Sequence, residues 1–125
     1  MPIQLNHTIV WCRDPRKSSA FLAHMLGTAP PLRFYNFMVV KLANDVSLDF
    51  KETSVTIAQQ HYAFLVSESE FDATFARIRE AGVKYWADPM RACPDEINHN
   101  DGGRGVYFAD LDDHQLEIIT RPYGG

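Results

Sequence analysis

The feature that most constrains this 125-residue chain is that its two halves follow one pattern. Asn6-His7-Thr8-Ile9-Val10 and Gln60-His61-Tyr62-Ala63-Phe64-Leu65-Val66 are both short strand-like runs in which an amide residue precedes a histidine. Each continues into a segment of helical spacing that stops at glycine: Pro15 to Leu26 before Gly27, and Glu68 to Ala81 before Gly82. Asp14 serves as N-cap with Pro15 at the first helical position, and Ser67 or Ser69 caps the second helix, where Phe71, Phe75 and Ile78 share one face. A terminal glycine suits the left-handed C-cap. Strand-like runs follow at Phe37 to Ala43 and Val46 to Lys51, then at Val83 to Trp86, Gly105 to Asp110 and Gln115 to Arg121. The closing strands also match, Leu48-Asp49-Phe50 against Leu116-Glu117-Ile118. His7 to His61 is 61 − 7 = 54 positions and Asp49 to Glu117 is 117 − 49 = 68. The loop around residues 88 to 104 absorbs the difference of 68 − 54 = 14.

Length and composition set the outer limits. The chain falls within the range of one domain, expected over 1–125 with a first module about 1–53 and a second about 54–125. At this size a chain buries roughly two-thirds of its unfolded surface, so a metal would serve function and not hold the fold. The net charge of −4, without a basic stripe, argues against nucleic acid and anionic membranes and favours a small-molecule substrate. No apolar run approaches a membrane span and no basic leader opens the chain, so a cytoplasmic protein is expected. Cys12 and Cys93 are too few for a disulfide framework, and a reduced state is expected for both.

Side chains alternate along a strand, so Leu5, His7, Ile9 and Trp11 share one side and Asn6, Thr8, Val10 and Cys12 the other. By the same rule His61 lies with Ala63 and Leu65, and Glu117 with Ile119, which predicts three ionisable groups on enclosed sheet faces. A buried unpaired carboxylate is expensive. A divalent metal shared by two imidazoles and a carboxylate removes that cost; the ligand set suits Fe(II), Zn, Mn, Ni or Co and leaves positions open. A lone strand histidine is more often a satisfied structural residue than a ligand, so the inference rests on the joint pattern. Asp49, at the matching place in the first half, is either a fourth ligand or a solvated residue on an edge strand whose polar face carries Ser47, Asp49 and Lys51.

The closing segment Gly103-Arg104-Gly105-Val106-Tyr107-Phe108-Ala109-Asp110-Leu111-Asp112-Asp113-His114-Gln115-Leu116-Glu117-Ile118 resembles the last hairpin of the vicinal oxygen chelate superfamily, which includes glyoxalase I, fosfomycin-resistance proteins, extradiol dioxygenases and bleomycin-resistance proteins. The usual Pro-Asp-Gly turn is altered here to Leu-Asp-Asp. The resemblance covers essentially the whole chain and implies an α+β fold. Two βαβββ modules would form a mixed, half-open barrel-like sheet with helices outside. It implies metal ligands at His7, His61 and Glu117, with Asp49 where glyoxalase-like members place a glutamate. It also implies that Tyr107 touches substrate beside Glu117, these two being the catalytic candidates, although Tyr107 reads equally as a core tyrosine.

Three functions are then distinguishable. A metal-dependent enzyme would use the ion as Lewis acid on a substrate that chelates it through adjacent oxygens, by lyase, isomerase, thiol transferase or dioxygenase chemistry. A bleomycin-resistance-type binding protein would sequester a small molecule without catalysis. The third is an interaction protein with a vestigial site. Retention of all three ligands favours the first. The family resemblance and the half-open sheets lead us to expect a homodimer in which His7 joins His61 and Glu117 of the partner chain. The loop at 88 to 104, with Trp86 at its start and His99 within it, is long enough to act as a lid. His24 and His99 read as surface residues and His114 as a turn-shaping one.

Overall fold

The computed structural model describes residues 2–123 and divides into two compact units, Met1–Ala58 and Gln59–Gly125. The first unit runs β1 (His7–Cys12), α1 (Pro15–Leu26), β2 (Leu32–Phe34), β3 (Phe37–Lys41) and β4 (Ser47–Glu52). The second runs β5 (His61–Leu65), α2 (Glu68–Glu80), β6 (Tyr85–Trp86), β7 (Gly105–Ala109) and β8 (Gln115–Ile119). Each unit is therefore one βαβββ module with its own four-stranded mixed sheet, ordered β1-β4-β3-β2 in the first and β5-β8-β7-β6 in the second. Neither sheet is closed into a barrel.

The repeat extends to single hydrogen bonds. Asp45 and Asp113 both take left-handed φ, 67° and 65°, in turns where Asp45 N–H donates to Leu42 and Asp113 N–H to Asp110, each at 3.1 Å. These turns set the entry into the last strand of each unit. There Ser47 N–H donates to the Asn6 carbonyl at 2.9 Å and Gln115 N–H to the Gln60 carbonyl at 2.8 Å. The first strand of each unit thus lies parallel to the last, with His7 opposite Ser47 and His61 opposite Gln115.

Both helices begin as their caps predict. The Asp14 carboxylate accepts from the Arg16 and Lys17 amides, and Ser67 forms a full capping box with Glu70. Gly27 and Gly82 adopt positive φ just beyond the helices, where a side chain would be strained. Helix α1 packs on β3 and β4 through Leu22, Ala23 and Met25, while α2 buries Phe71 and Ile78. Arg104, leading into β7, lies 4.3 Å from the centre of the Phe71 ring and bonds Glu68 and Asp72 at 2.8 Å each.

Four expectations need correction. Strand β2 was not anticipated; it is an exposed three-residue edge strand after Pro30-Pro31, too short to show a period. The side of β1 that bears His7, Ile9 and Trp11 is not enclosed, because Val10 and Cys12 form the buried side and the three others stay exposed. The same holds for His61, Ala63 and Leu65 on β5, although Glu117 on β8 is buried at 1% exposure. Finally, Asp49 does not sit on an edge strand, since β4 lies between β1 and β3.

The Glu68 carboxyl is held below its ordinary range, first by a hydrogen bond involving Thr120 and then by Arg104. A depressed acid stabilises the fold above its unfolded pKa, and that contribution is lost as pH falls through the folded value. Glu68→Gln is therefore expected to be less stable than wild type at neutral pH. The two should converge in urea unfolding as pH falls below the usual glutamate range; a gap of constant size from pH 7 to pH 3 would contradict this role.

Candidate metal centre

Because β5 and β8 run parallel in register, Ala63 lies opposite Glu117 and His61 one step away on the same face. His61 Nε2 and Glu117 Oε1 are 3.1 Å apart. The other ring nitrogen, Nδ1, stands 3.0 Å from the Gln115 carbonyl and can only donate to it. That bond leaves Nε2 as the variable atom, facing a carboxylate that is almost wholly buried while the histidine side chain is 47% exposed. Two acceptors do not face each other at this distance without a proton or a cation between them. An imidazole fixed by a backbone carbonyl and aimed at a buried carboxylate is the donor set a divalent metal uses.

The carboxylate is braced by two tyrosines. Tyr123 donates its hydroxyl to Glu117 Oε1 at 2.7 Å. Tyr107 faces Glu117 across the β7–β8 ladder and stacks on His61, with centroids 5.9 Å apart and planes at 26°. Burial, then the Tyr123 hydroxyl and the Glu117 charge, push the Tyr107 phenol far above the usual tyrosine range. It therefore stays protonated and acts as a hydrogen-bond donor.

In the first unit the equivalent positions are His7 and Asp49. His7 Nδ1 donates to Asn6 Oδ1 at 2.8 Å, which leaves its Nε2 lone pair uncommitted. Asp49 Oδ1 is buried and has no hydrogen-bond partner among the described residues. An orphaned carboxylate oxygen is costly unless a cation or donor arrives, so its environment fits a metal ligand better than the solvated alternative. His7 and Asp49 line a cavity of about 560 Å³ with Leu32, Phe34, Val39 and Lys41. Among the described residues no three His, Cys, Asp or Glu side chains gather closely enough to hold a metal ion.

The remaining polar candidates are structural. His114 is buried; its backbone N–H donates to Asp110 Oδ1 and its Nδ1 accepts from the Gln60 amide at 3.0 Å, so it fastens the start of β5 as well as the turn. His24 and His99 are exposed. The 88–104 loop is tethered rather than free. Arg91 lies over the Trp86 ring at 4.7 Å and bonds the Gln115 side chain and Asp113, while Gln115 Nε2 reaches the Pro89 carbonyl. Neither cysteine is in a disulfide; Cys12 is buried, and burial with Asp88 and Glu96 nearby pushes the exposed Cys93 thiol up, against nucleophilic use. Sequence reasoning missed Tyr123 and the role of Gln115, because neither stands in a repeat position with a chemical partner visible in sequence.

The family model for the Glyoxalase/Bleomycin resistance protein/Dioxygenase superfamily matches residues 4–118. The chain belongs to that superfamily. Among solved structures it resembles the oxidase ChaP-H1 at 59% identity and TM-score 0.97, over 99% of this chain and 100% of that one. Glutathione transferase FosA of Serratia marcescens is 30% identical over 91% of this chain and 78% of its own length. The fosfomycin resistance protein FosX of Listeria monocytogenes, solved with Mn(II) and a dihydroxypropylphosphonic acid, shares the fold at 21% identity and TM-score 0.71, over 98% of this chain and 95% of that one. The chain is thus a metal-dependent enzyme of the vicinal oxygen chelate superfamily. No helix among the described residues is long and apolar enough to cross a membrane.

The Tyr123 hydroxyl should contribute measurably in the metal-free protein. Tyr123→Phe is expected to lower the unfolding free energy by about 1.5 kcal/mol, the low end for a hydrogen bond to a charged group because Tyr123 is half-exposed. Urea unfolding in chelator reads the change; equal stability would show that the carboxylate does not need this donor.

Proposed function

We propose that this enzyme holds its divalent metal through His7, His61 and Glu117, with Asp49 as a fourth ligand, and acts on a small substrate that chelates the ion through adjacent oxygens. The observation that carries the reading is the His61–Glu117 pair, one imidazole nitrogen fixed by the Gln115 carbonyl and the other aimed at a buried carboxylate. A bound divalent ion supplies Lewis-acid stabilisation of charge developing on a substrate oxygen. The chain's own residues do the rest. Gln115 orients His61, Tyr123 braces Glu117, and the protonated Tyr107 phenol donates its one hydrogen bond to a substrate oxygen beside Glu117. The apolar lining around His7 and Asp49 excludes water from the substrate's body. The chain's relatives include a glutathione transferase and an oxidase, so on this reading the metal and the substrate decide which reaction is run.

The active species is proposed to be a homodimer in which His7 of one protomer joins His61 and Glu117 of its partner. Support comes from the open sheet faces: Ile9 and Trp11 beside His7, and Leu65 beside His61, are 36%, 41% and 62% exposed, an apolar surface that a second copy would cover. Light scattering at micromolar concentration is expected to give twice the chain mass; a monomer that retains full activity would sink the exchange.

The ligand assignment is tested by metal analysis of His61→Ala and Glu117→Gln. Each is expected to lose most of its metal while its circular dichroism stays near native, because the core of the second unit lies in Phe71, Ile78, Phe108 and Ile118, apart from the ion. Cobalt-substituted wild type should change its visible spectrum on titration with catechol or a hydroxamate, since three or four protein ligands leave positions open on an octahedral ion. A spectrum that never responds would mean a closed site and no chelating substrate.

A further inference from the structure

The open face of the first sheet is ordered in rows by strand register. Lys41, Ser47 and His7 stand side by side on β3, β4 and β1. The next row is Leu32, Val39, Asp49 and Ile9. Beyond it the Lys51 ammonium lies over the Trp11 and Phe37 rings at 5.7 and 5.5 Å. The cations near this face are thus used differently. Lys51 is occupied by the two rings; Arg33, on the side of β2 opposite Leu32, also lines the cavity and donates one N–H to the Tyr35 carbonyl at the tip of the β2–β3 hairpin. Lys41 is exposed, lines the same cavity as His7 and Asp49, and meets no carboxylate among the described residues. Nor does it compensate Asp49, whose buried Oδ1 is left without a partner.

We propose that Lys41 is the specificity residue of the site, pairing with an anionic group of the substrate. The substrate class is an apolar body with vicinal oxygens at one end and a carboxylate or comparable anion at the other. Its length follows from the sheet. Strands are spaced by about 4.8 Å, so Lys41 and His7, two strands apart, are separated by roughly 10 Å at their backbones, and a lysine side chain covers more than half of that. A single ring between the chelating oxygens and the anion fills the remaining span. Its body would rest over Ser47, which stands between Lys41 and His7, with Val39 and Leu32 of the next row as its apolar flank. A flexible ammonium needs only a charge at the right distance, which suits recognition of a carboxylate without fixed geometry.

The inference rests on the chelation reading above, and the test separates the two. Binding of protocatechuate and of its neutral amide is compared on cobalt-loaded protein by visible spectra and on metal-free protein by ligand-observed NMR. Wild type is expected to bind the acid about tenfold tighter than the amide at low salt, with the preference shrinking as salt rises. Lys41→Met should reduce the ratio to near one, Lys41→Arg should retain most of it, and Lys84→Met, the same charge change on an exposed lysine of the second unit, should leave it as in wild type. An acid-to-amide ratio near one in wild type, or one that survives in Lys41→Met, overturns the role of Lys41 while leaving chelation intact. If neither compound alters the cobalt spectrum, chelation itself fails and the lysine inference falls with it.

Discussion

Parallel pairing of the first strand of each unit with the last is the constraint on which the site depends. Between them the two strands carry a histidine and, two residues along the neighbouring strand's register, an acid on the same sheet face: His7 with Asp49, His61 with Glu117. A parallel pair cannot be joined by a tight hairpin, so the chain must spend a helix and two further strands before it returns. The βαβββ module is that return path, and its caps and left-handed turns fix where the last strand starts. A slip of one residue would turn both acids to the opposite face.

Burial then makes the two units different. Glu117 is enclosed and braced by Tyr123 and Tyr107, whereas Asp49 is only half-buried and keeps one enclosed oxygen without a donor. The first acid is held in place by protein hydrogen bonds, and the second waits on whatever enters its cavity. The shorter aspartate arm also leaves more room above β4, in the space bounded by Leu32, Val39 and Lys41. A duplicated module can in this way hold one acid rigidly and leave its counterpart facing a cavity.

The long segment before β7 illustrates the same economy of hydrogen bonds. It reads as a lid, with Pro, Gly and Asn in quantity, yet Arg91 and Gln115 fasten it to the second sheet and the Asn98 backbone pairs with Gly105 at the start of β7. Gln115 is the shared element: its side chain holds the loop and its carbonyl holds His61. Loop position and His61 orientation are therefore coupled through one residue.

The sequence by itself determined the repeat, both helices with their caps, the family, and the His–acid pairs from which a site is proposed, because these depend on local spacing and on residue type. His7, His61, Glu117 and Asp49 stood at matched positions in two similar halves, and two-residue periodicity put each with the neighbours it has. Tertiary structure decided which face of each strand is covered. Alternation separates the two sides of β1 but cannot say that Val10 and Cys12 go inward while His7, Ile9 and Trp11 stay open, since both sides are apolar enough to be core. It also decided the strand order that makes β4 internal and orphans an Asp49 oxygen, and the return of Tyr123 onto Glu117. The strand order rests on pairing between segments far apart in sequence, such as β1 with β4, and the Tyr123 contact on how the chain turns after β8, neither of which a local pattern encodes.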